Sequence, residues 1–216
     1  MKKLCSAAVC GALAAAAPLA QAITFNDAVG DYVPGFAGSK AGDLDVVSSF
    51  VTYNQAKDTF VFSGTMNADI GTTPGGFYVW GVNRGNGAAS FAANGFGGVL
   101  FDVVVIFNAD GSGRVTGNNP TTFGAGTAKV IGSTIVGAIG GQFLPSTGFA
   151  KSAYTWNLWP RDGNLPAGFG QISDFAPDNS NLGVTVIGAV PEPASVALLL
   201  AGLGVLGFVA KRRDPR

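Results

Sequence analysis

The chain has 216 residues, of which 47% are hydrophobic and only 12% are charged, about half the charged fraction of an ordinary soluble domain. Its formal net charge is zero, so no strong electrostatic field points to nucleic acid as a partner. It contains no histidine, and both cysteines lie within the first ten residues, which excludes the usual catalytic bases and thiol nucleophiles from the rest of the chain.

The first 22 residues have the three parts of a secretory signal peptide. Lys2 and Lys3 form a positive n-region, residues 4–19 form an apolar, alanine-rich stretch, and residues 20–22 match a small-residue cleavage site. We therefore expect residues 1–22 to form a signal helix that directs export through the Sec machinery and is then removed. A retained N-terminal membrane anchor and a buried helix are the alternatives. Without its two cysteines, the mature protein would depend on its hydrophobic core and not on disulfides.

Residues 23–189 have the pattern of an all-β domain. Runs rich in β-branched and aromatic residues alternate with turn sequences, and no window keeps a helical periodicity. The run 99–107 is almost wholly apolar, which predicts a central strand with both faces mostly buried. Strands of this length between recurring turns predict an antiparallel β-sandwich or jelly-roll-like ectodomain. The predicted strands cover residues 44–53, 59–66, 76–82, 99–107, 128–139, 153–159 and 182–187.

Aromatic residues concentrate in two of these predicted strands. Tyr78 and Trp80 share one face of a strand because side chains alternate with a period of two, and Trp156 and Trp159 lie in a later strand. Exposed rings on such a face could hold sugars, with Arg161 close enough to bond their hydroxyl groups. These five residues are the candidate glycan-binding residues. The alternative is that the rings fill the core of the sandwich, as aromatic strand residues commonly do.

Aspartate supplies all eleven acidic residues between Ile23 and Val190, against seven basic residues. Calcium takes about six to eight oxygen ligands from carboxylates, amides and carbonyls, so an aspartate cluster is a candidate calcium site. The two ends of a sandwich domain can meet in space, which could bring aspartates from both ends together. A purely structural role in turns is the alternative. The candidates near the start of the domain are Asp27, Asp31, Asp43 and Asp45, and those near its end are Asp174 and Asp178.

Residues 194–210 form an apolar run without charge, and Lys211, Arg212 and Arg213 follow at once. A helix of this length spans about 26 Å, near the lower limit for a hydrocarbon core of about 30 Å. The positive-inside rule keeps the basic cluster in the cytoplasm, so the β domain would lie outside. We therefore predict a single C-terminal transmembrane helix over 194–210, and a buried core helix is the alternative.

Immediately before this run, Pro191, Glu192 and Pro193 form a stiff, extended segment that carries the only glutamate of the chain. The order Val-Pro-Glu-Pro-Ala-Ser, apolar helix and Lys-Arg-Arg resembles the PEP-CTERM protein-sorting domain over residues 190–213. The resemblance implies recognition of Pro191, Glu192 and Pro193 by an exosortase, a membrane-embedded transpeptidase-like enzyme. It also implies a stop-transfer role for residues 211–213. Proteins with this domain belong to the Gram-negative envelope and are often linked to exopolysaccharide.

The sequence therefore predicts three parts: a signal peptide (1–22), a β-sandwich ectodomain (23–189) and a sorting and anchor segment (190–213). We expect an inner-membrane-anchored precursor that is delivered to the cell surface or the extracellular matrix. The expected role is non-enzymatic, with association to exopolysaccharide. A secreted hydrolase acting through aspartates and a purely structural surface-coat subunit are the alternatives.

Overall fold

The computed structural model describes residues 22–117, 120–188 and 199–206. Four short 3-10 helices lie in its loops: Ala92–Asn94, Gly141–Phe143, Lys151–Ala153 and Phe169–Gln171. Residues 199–206 are α-helical. The described residues form twelve β-strands, numbered in chain order: β1 (Phe25–Asn26), β2 (Val46–Asn54), β3 (Thr59–Met66), β4 (Gly76–Asn83), β5 (Val103–Asn108), β6 (Gly113–Val115), β7 (Thr121–Phe123), β8 (Ala128–Ile131), β9 (Thr134–Gly140), β10 (Thr155–Asp162), β11 (Leu182–Gly183) and β12 (Thr185–Ile187).

Two sheets pack face to face as a sandwich. The first has the strand order β1-β2-β3-β9-β8, and β12 joins it parallel to β2. The second has the order β11-β10-β4-β5-β6-β7 and is antiparallel throughout its described pairs. The predicted all-β sandwich is therefore confirmed.

The limits of the strands agree with the prediction where turn residues mark them clearly. Strand β3 has the predicted limits, Thr59–Met66. The predicted strand 128–139 is instead a hairpin, because Gly132 adopts a positive φ of 57° in the turn between β8 and β9. The predicted strand 182–187 divides into β11 and β12, which pair with β10 and β2 in different sheets.

Alternate residues of each strand face the core between the two sheets. Tyr78 and Trp80 of β4 belong to this core, and Trp80 meets Phe62 and Phe107 edge-on with ring centroids 6.0 and 5.5 Å away. Gly137 of β9 makes room for this packing, since a Cβ there would lie 2.2 Å from Cζ of Phe107. Such interlocking of large rings with glycine gives the close packing that protein interiors require.

A second apolar cluster covers the outer face of the second sheet. Trp159 of β10 contributes from the sheet, and Val99 and Phe175 contribute from loops that pack against it. Val99 is thus a buried loop residue. This explains why the predicted strand 99–107 begins only at Val103: its first residues cover the sheet and do not extend it.

Candidate metal centre

Five aspartates from both ends of the domain meet at one place in the fold. Pairing of β1 with β2 brings Asp27, which follows β1, close to Asp45, which precedes β2. The chain after β10 returns to the same point, where the backbone N–H of Val46 donates to Oδ2 of Asp174 over 2.9 Å. Strand pairing and one long-range hydrogen bond therefore assemble the cluster from residues about 150 positions apart in the sequence. Its members are Asp27, Asp31, Asp45, Asp174 and Asp178.

The carboxylates form two groups that share Asp31. Oxygens of Asp27, Asp31 and Asp178 lie within 4.8 Å of one another, as do oxygens of Asp31, Asp45 and Asp174. Asp31 is exposed, and its carboxylate makes no hydrogen bond with the residues that the structure describes. The structure thus brings together three of the four N-terminal candidates and both C-terminal ones.

Two members of the cluster are fully buried and hydrogen-bonded to the backbone. Asp45 is 0% exposed and both of its oxygens accept from the N–H of Gly30, at 3.1 and 3.0 Å. Asp174 is 1% exposed and also accepts from the N–H of Phe175 over 2.7 Å. Oδ2 of Asp27 is buried and has no hydrogen-bond partner within the described part of the chain. Buried polar atoms rarely go unsatisfied, so this oxygen is available to a bound ligand.

No positive side chain among the described residues forms an ion pair with these carboxylates. The ion pairs among the described residues lie elsewhere and involve Arg84 and Lys151. Burial, and then the charges of neighbouring aspartates, raises the pKa of Asp174 to about 8. Burial, followed by neighbouring aspartates, also raises the pKa of Asp27 to about 7. A divalent cation bound by these oxygens would supply the positive charge that the described side chains do not provide.

Asp43 was predicted as a ligand, but it lies apart from the cluster. It accepts hydrogen bonds from the hydroxyl of Tyr78 at 2.5 Å, from the N–H of Thr73 at 2.9 Å and from the N–H of Gly71. Burial alone would raise the pKa of Asp43, but these hydrogen bonds outweigh burial and lower it. Asp43 therefore anchors the loop before β4 and does not belong to either carboxylate group.

The aromatic candidates for glycan binding are buried. Tyr78 and Trp80 are 0% exposed, and Trp156 and Trp159 are 1% exposed. The first three point between the sheets, and Trp159 lies in the outer apolar cluster. These rings have almost no exposed surface on which a sugar could stack, because the hydrophobic gain from burying them is large. Arg161 is the one candidate of this set that is half-buried, and it lies on the outer face of the second sheet.

The sorting residues, Pro191 to Pro193, and the stop-transfer residues, Lys211 to Arg213, lie outside the described residues. Of the predicted membrane segment 194–210, the structure describes residues 199–206, which are helical and exposed throughout. Within the described parts of the chain, no helix combines the length and the apolar character that crossing a membrane requires.

A comparison with known protein families matches residues 189–213 to the PEP-CTERM protein-sorting motif. This confirms the resemblance that the sequence suggested for the C-terminus. The motif implies that the chain is exported, associated with the cell surface and processed by an exosortase. No curated protein and no solved structure matches the chain.

Proposed function

We propose that this chain is a non-enzymatic protein of the Gram-negative envelope, held at the inner membrane by its tail until an exosortase releases it to the cell surface or the extracellular matrix. The match of residues 189–213 to the PEP-CTERM motif is the observation that carries this proposal. The signal peptide that the sequence predicts at residues 1–22 supports it, because export must come before processing outside the cytoplasm.

The chemistry of the tail suits a temporary anchor. Residues 194–210 insert in the membrane, and the exposed apolar side chains of residues 199–206 support this role because the sandwich does not bury them. Residues 211–213 stay on the cytoplasmic side. The sequence Pro191-Glu192-Pro193 favours an extended segment, because proline fixes φ and removes a backbone donor, and an enzyme at the membrane surface could bind such a segment.

We also propose that the aspartate cluster binds Ca²⁺ and that the ion holds the two ends of the β-sandwich domain together. This proposal rests on the buried carboxylates of Asp45 and Asp174 and on the buried, unpartnered Oδ2 of Asp27. None of them has a positive partner among the described residues. Calcium accepts carboxylate oxygens in flexible geometry, whereas Mg²⁺ demands a tight octahedron and Zn²⁺ favours nitrogen and sulfur. Extracellular calcium modules bind with dissociation constants of about 10⁻⁴–10⁻³ M, so the exported protein would fill such a site outside the cell.

Association with exopolysaccharide is the specific role that we propose for the domain, and a structural surface-coat subunit is the alternative. An aspartate-dependent hydrolase would have to use the same cluster. Asp45 and Asp174 are fully buried and hydrogen-bonded to backbone N–H groups, an arrangement that favours a structural metal ligand over a group that reaches a substrate.

The sorting proposal is tested by mass spectrometry of the protein from the producing cell, with and without its exosortase. We expect the C-terminal segment to be lost only when the enzyme is present. Glu192→Gln should leave the tail intact, because it removes the one carboxylate of the motif. Asp214→Asn, which neutralises an acid beyond the motif, should be processed normally. An intact C-terminus in both strains would contradict the proposal.

A further inference from the structure

A cavity of about 390 Å³ opens on the outer face of the second sheet. Its walls are largely apolar and include the half-buried rings of Phe77 of β4 and of the loop residues Phe91 and Phe101, whereas Trp159 of β10 lies beneath them with almost no exposed surface. Two arginines also line it, Arg114 of β6 and Arg161 of β10. The volume lies at the small end of the range for ligand pockets, about 300–1,000 Å³, and is large enough for one sugar ring.

A second cavity of about 310 Å³ adjoins the first, because Phe101 and Val104 line both. Its other lining residues include Ser90 and Thr116, which offer hydroxyl groups, and Asp102, whose carboxylate is paired with Arg84. The outer face therefore has an apolar compartment with two arginines beside a compartment rich in hydrogen-bonding groups.

The two arginines of the first cavity, Arg114 and Arg161, have no ion-pair partner in the part of the chain that the structure describes. Arg161 donates from Nη2 to the carbonyl of Gly168 over 2.6 Å, but its Nε is buried without a partner in the described chain. Nε1 of Trp159 is likewise buried without a described partner. A half-buried guanidinium with no counter-charge is unfavourable, so this cavity favours an anion.

We propose that the two cavities bind an acidic oligosaccharide, with a carboxylate-bearing sugar ring in the apolar cavity and the next sugar in the polar one. Guanidinium groups bind carboxylates through paired hydrogen bonds, and the apolar faces of a sugar ring pack on aromatic walls. Hydroxyl groups of the next sugar reach Ser90 and Thr116. An acidic oligosaccharide is thus the ligand class that we infer for the proposed association with polysaccharide. This inference rests on the proposed function only in taking exopolysaccharide as the source of the ligand.

Calorimetric titration of the full-length protein in detergent tests the proposal, with digalacturonate as ligand and galactobiose as its neutral counterpart. We expect digalacturonate to bind at least about tenfold more tightly, because only it carries carboxylates. Arg114→Gln changes an exposed residue and should weaken digalacturonate binding by roughly tenfold to a hundredfold. Lys129→Gln removes an exposed cation from β8 in the other sheet and should leave the affinity unchanged.

Val104→Phe provides a second variant, because it fills the wall that both cavities share and should lower the affinity for digalacturonate. Equal affinity for the two disaccharides, or unchanged binding in Arg114→Gln, would overturn the proposal. Binding of benzoate or sulfate without binding of digalacturonate would also overturn it, by showing an anion site that does not accept sugars. A failure of exosortase processing would leave these titrations unchanged, so the two proposals can fail separately.

Discussion

Replacing Asp31 by asparagine tests the calcium site directly, because Asp31 belongs to both carboxylate groups and is exposed. The change removes a charged ligand without breaking a hydrogen bond to the described residues. Calcium at about 100 times its dissociation constant should stabilise the wild-type protein by about 2.7 kcal/mol. For a domain of this size, that stabilisation raises the melting temperature by about 5–10 °C. If Asp31→Asn binds calcium tenfold more weakly, the same calcium concentration should stabilise the variant by only about 1.4 kcal/mol.

The assay is thermal unfolding followed by circular dichroism, in chelator and in excess calcium. In chelator, Asp31→Asn should melt at or above the wild-type temperature, because it relieves repulsion among uncompensated carboxylates. In calcium it should melt below the wild-type protein. Asp69→Asn, which changes an exposed aspartate outside the cluster, should respond to calcium as the wild type does. A wild-type melting temperature that is the same in chelator and in calcium would refute the metal site.

Two further predictions concern stability. Burial alone would raise the pKa of Asp102, but its hydrogen bond and ion pair with Arg84 outweigh burial and lower it. The pair therefore stabilises the fold above the unfolded pKa of about 3.9 and loses this effect as the pH falls through the lower folded pKa. Asp102→Asn should cost roughly 1.5–3 kcal/mol at neutral pH and flatten the loss of stability below about pH 4 in acid titrations; an unchanged acid profile would contradict this assignment. Gly137→Ala should cost about 1–3 kcal/mol in denaturant unfolding because its Cβ collides with Phe107, whereas Gly124→Ala, which meets no neighbour within 4 Å, serves as the matched control.

Local pattern located the strands whose ends are marked by turn residues, but it did not separate β8 from β9 and it missed the shortest strands. Strand β3 could be predicted because turn residues mark its start and alternation continues to its end. Strands β1, β6 and β7 have two or three residues each, too few to show a period, and they form through pairing of β1 with β2, β6 with β5 and β7 with β6. The division of residues 182–187 between two sheets is likewise set by distant partners, which no local pattern records.

The sequence was also insufficient to predict which aspartates form the cluster. Asp43 and Asp45 are two residues apart, and the sequence offers no reason to give them different roles. The structure separates them through distant partners: the hydroxyl of Tyr78 holds Asp43, and the N–H of Gly30 holds Asp45. That the two ends of the domain would meet could be expected for a sandwich. Which aspartates take part depends on strand register and loop contacts.

The strand that leads to the sorting motif is separate from the contacts that assemble the aspartate cluster. Ile187 ends β12 only four residues before Pro191, so an extended chain between them spans at most about 14 Å. Strand β12 has three half-buried residues and pairs only with β2 among the described strands, so we expect it to detach more easily than the longer strands when an enzyme binds the motif. Asp174 lies before β11 and bonds to Val46 independently of β12. We therefore expect that calcium bound to the aspartate cluster keeps the two ends of the domain together when β12 detaches. Cleavage of the tail would then leave the domain folded.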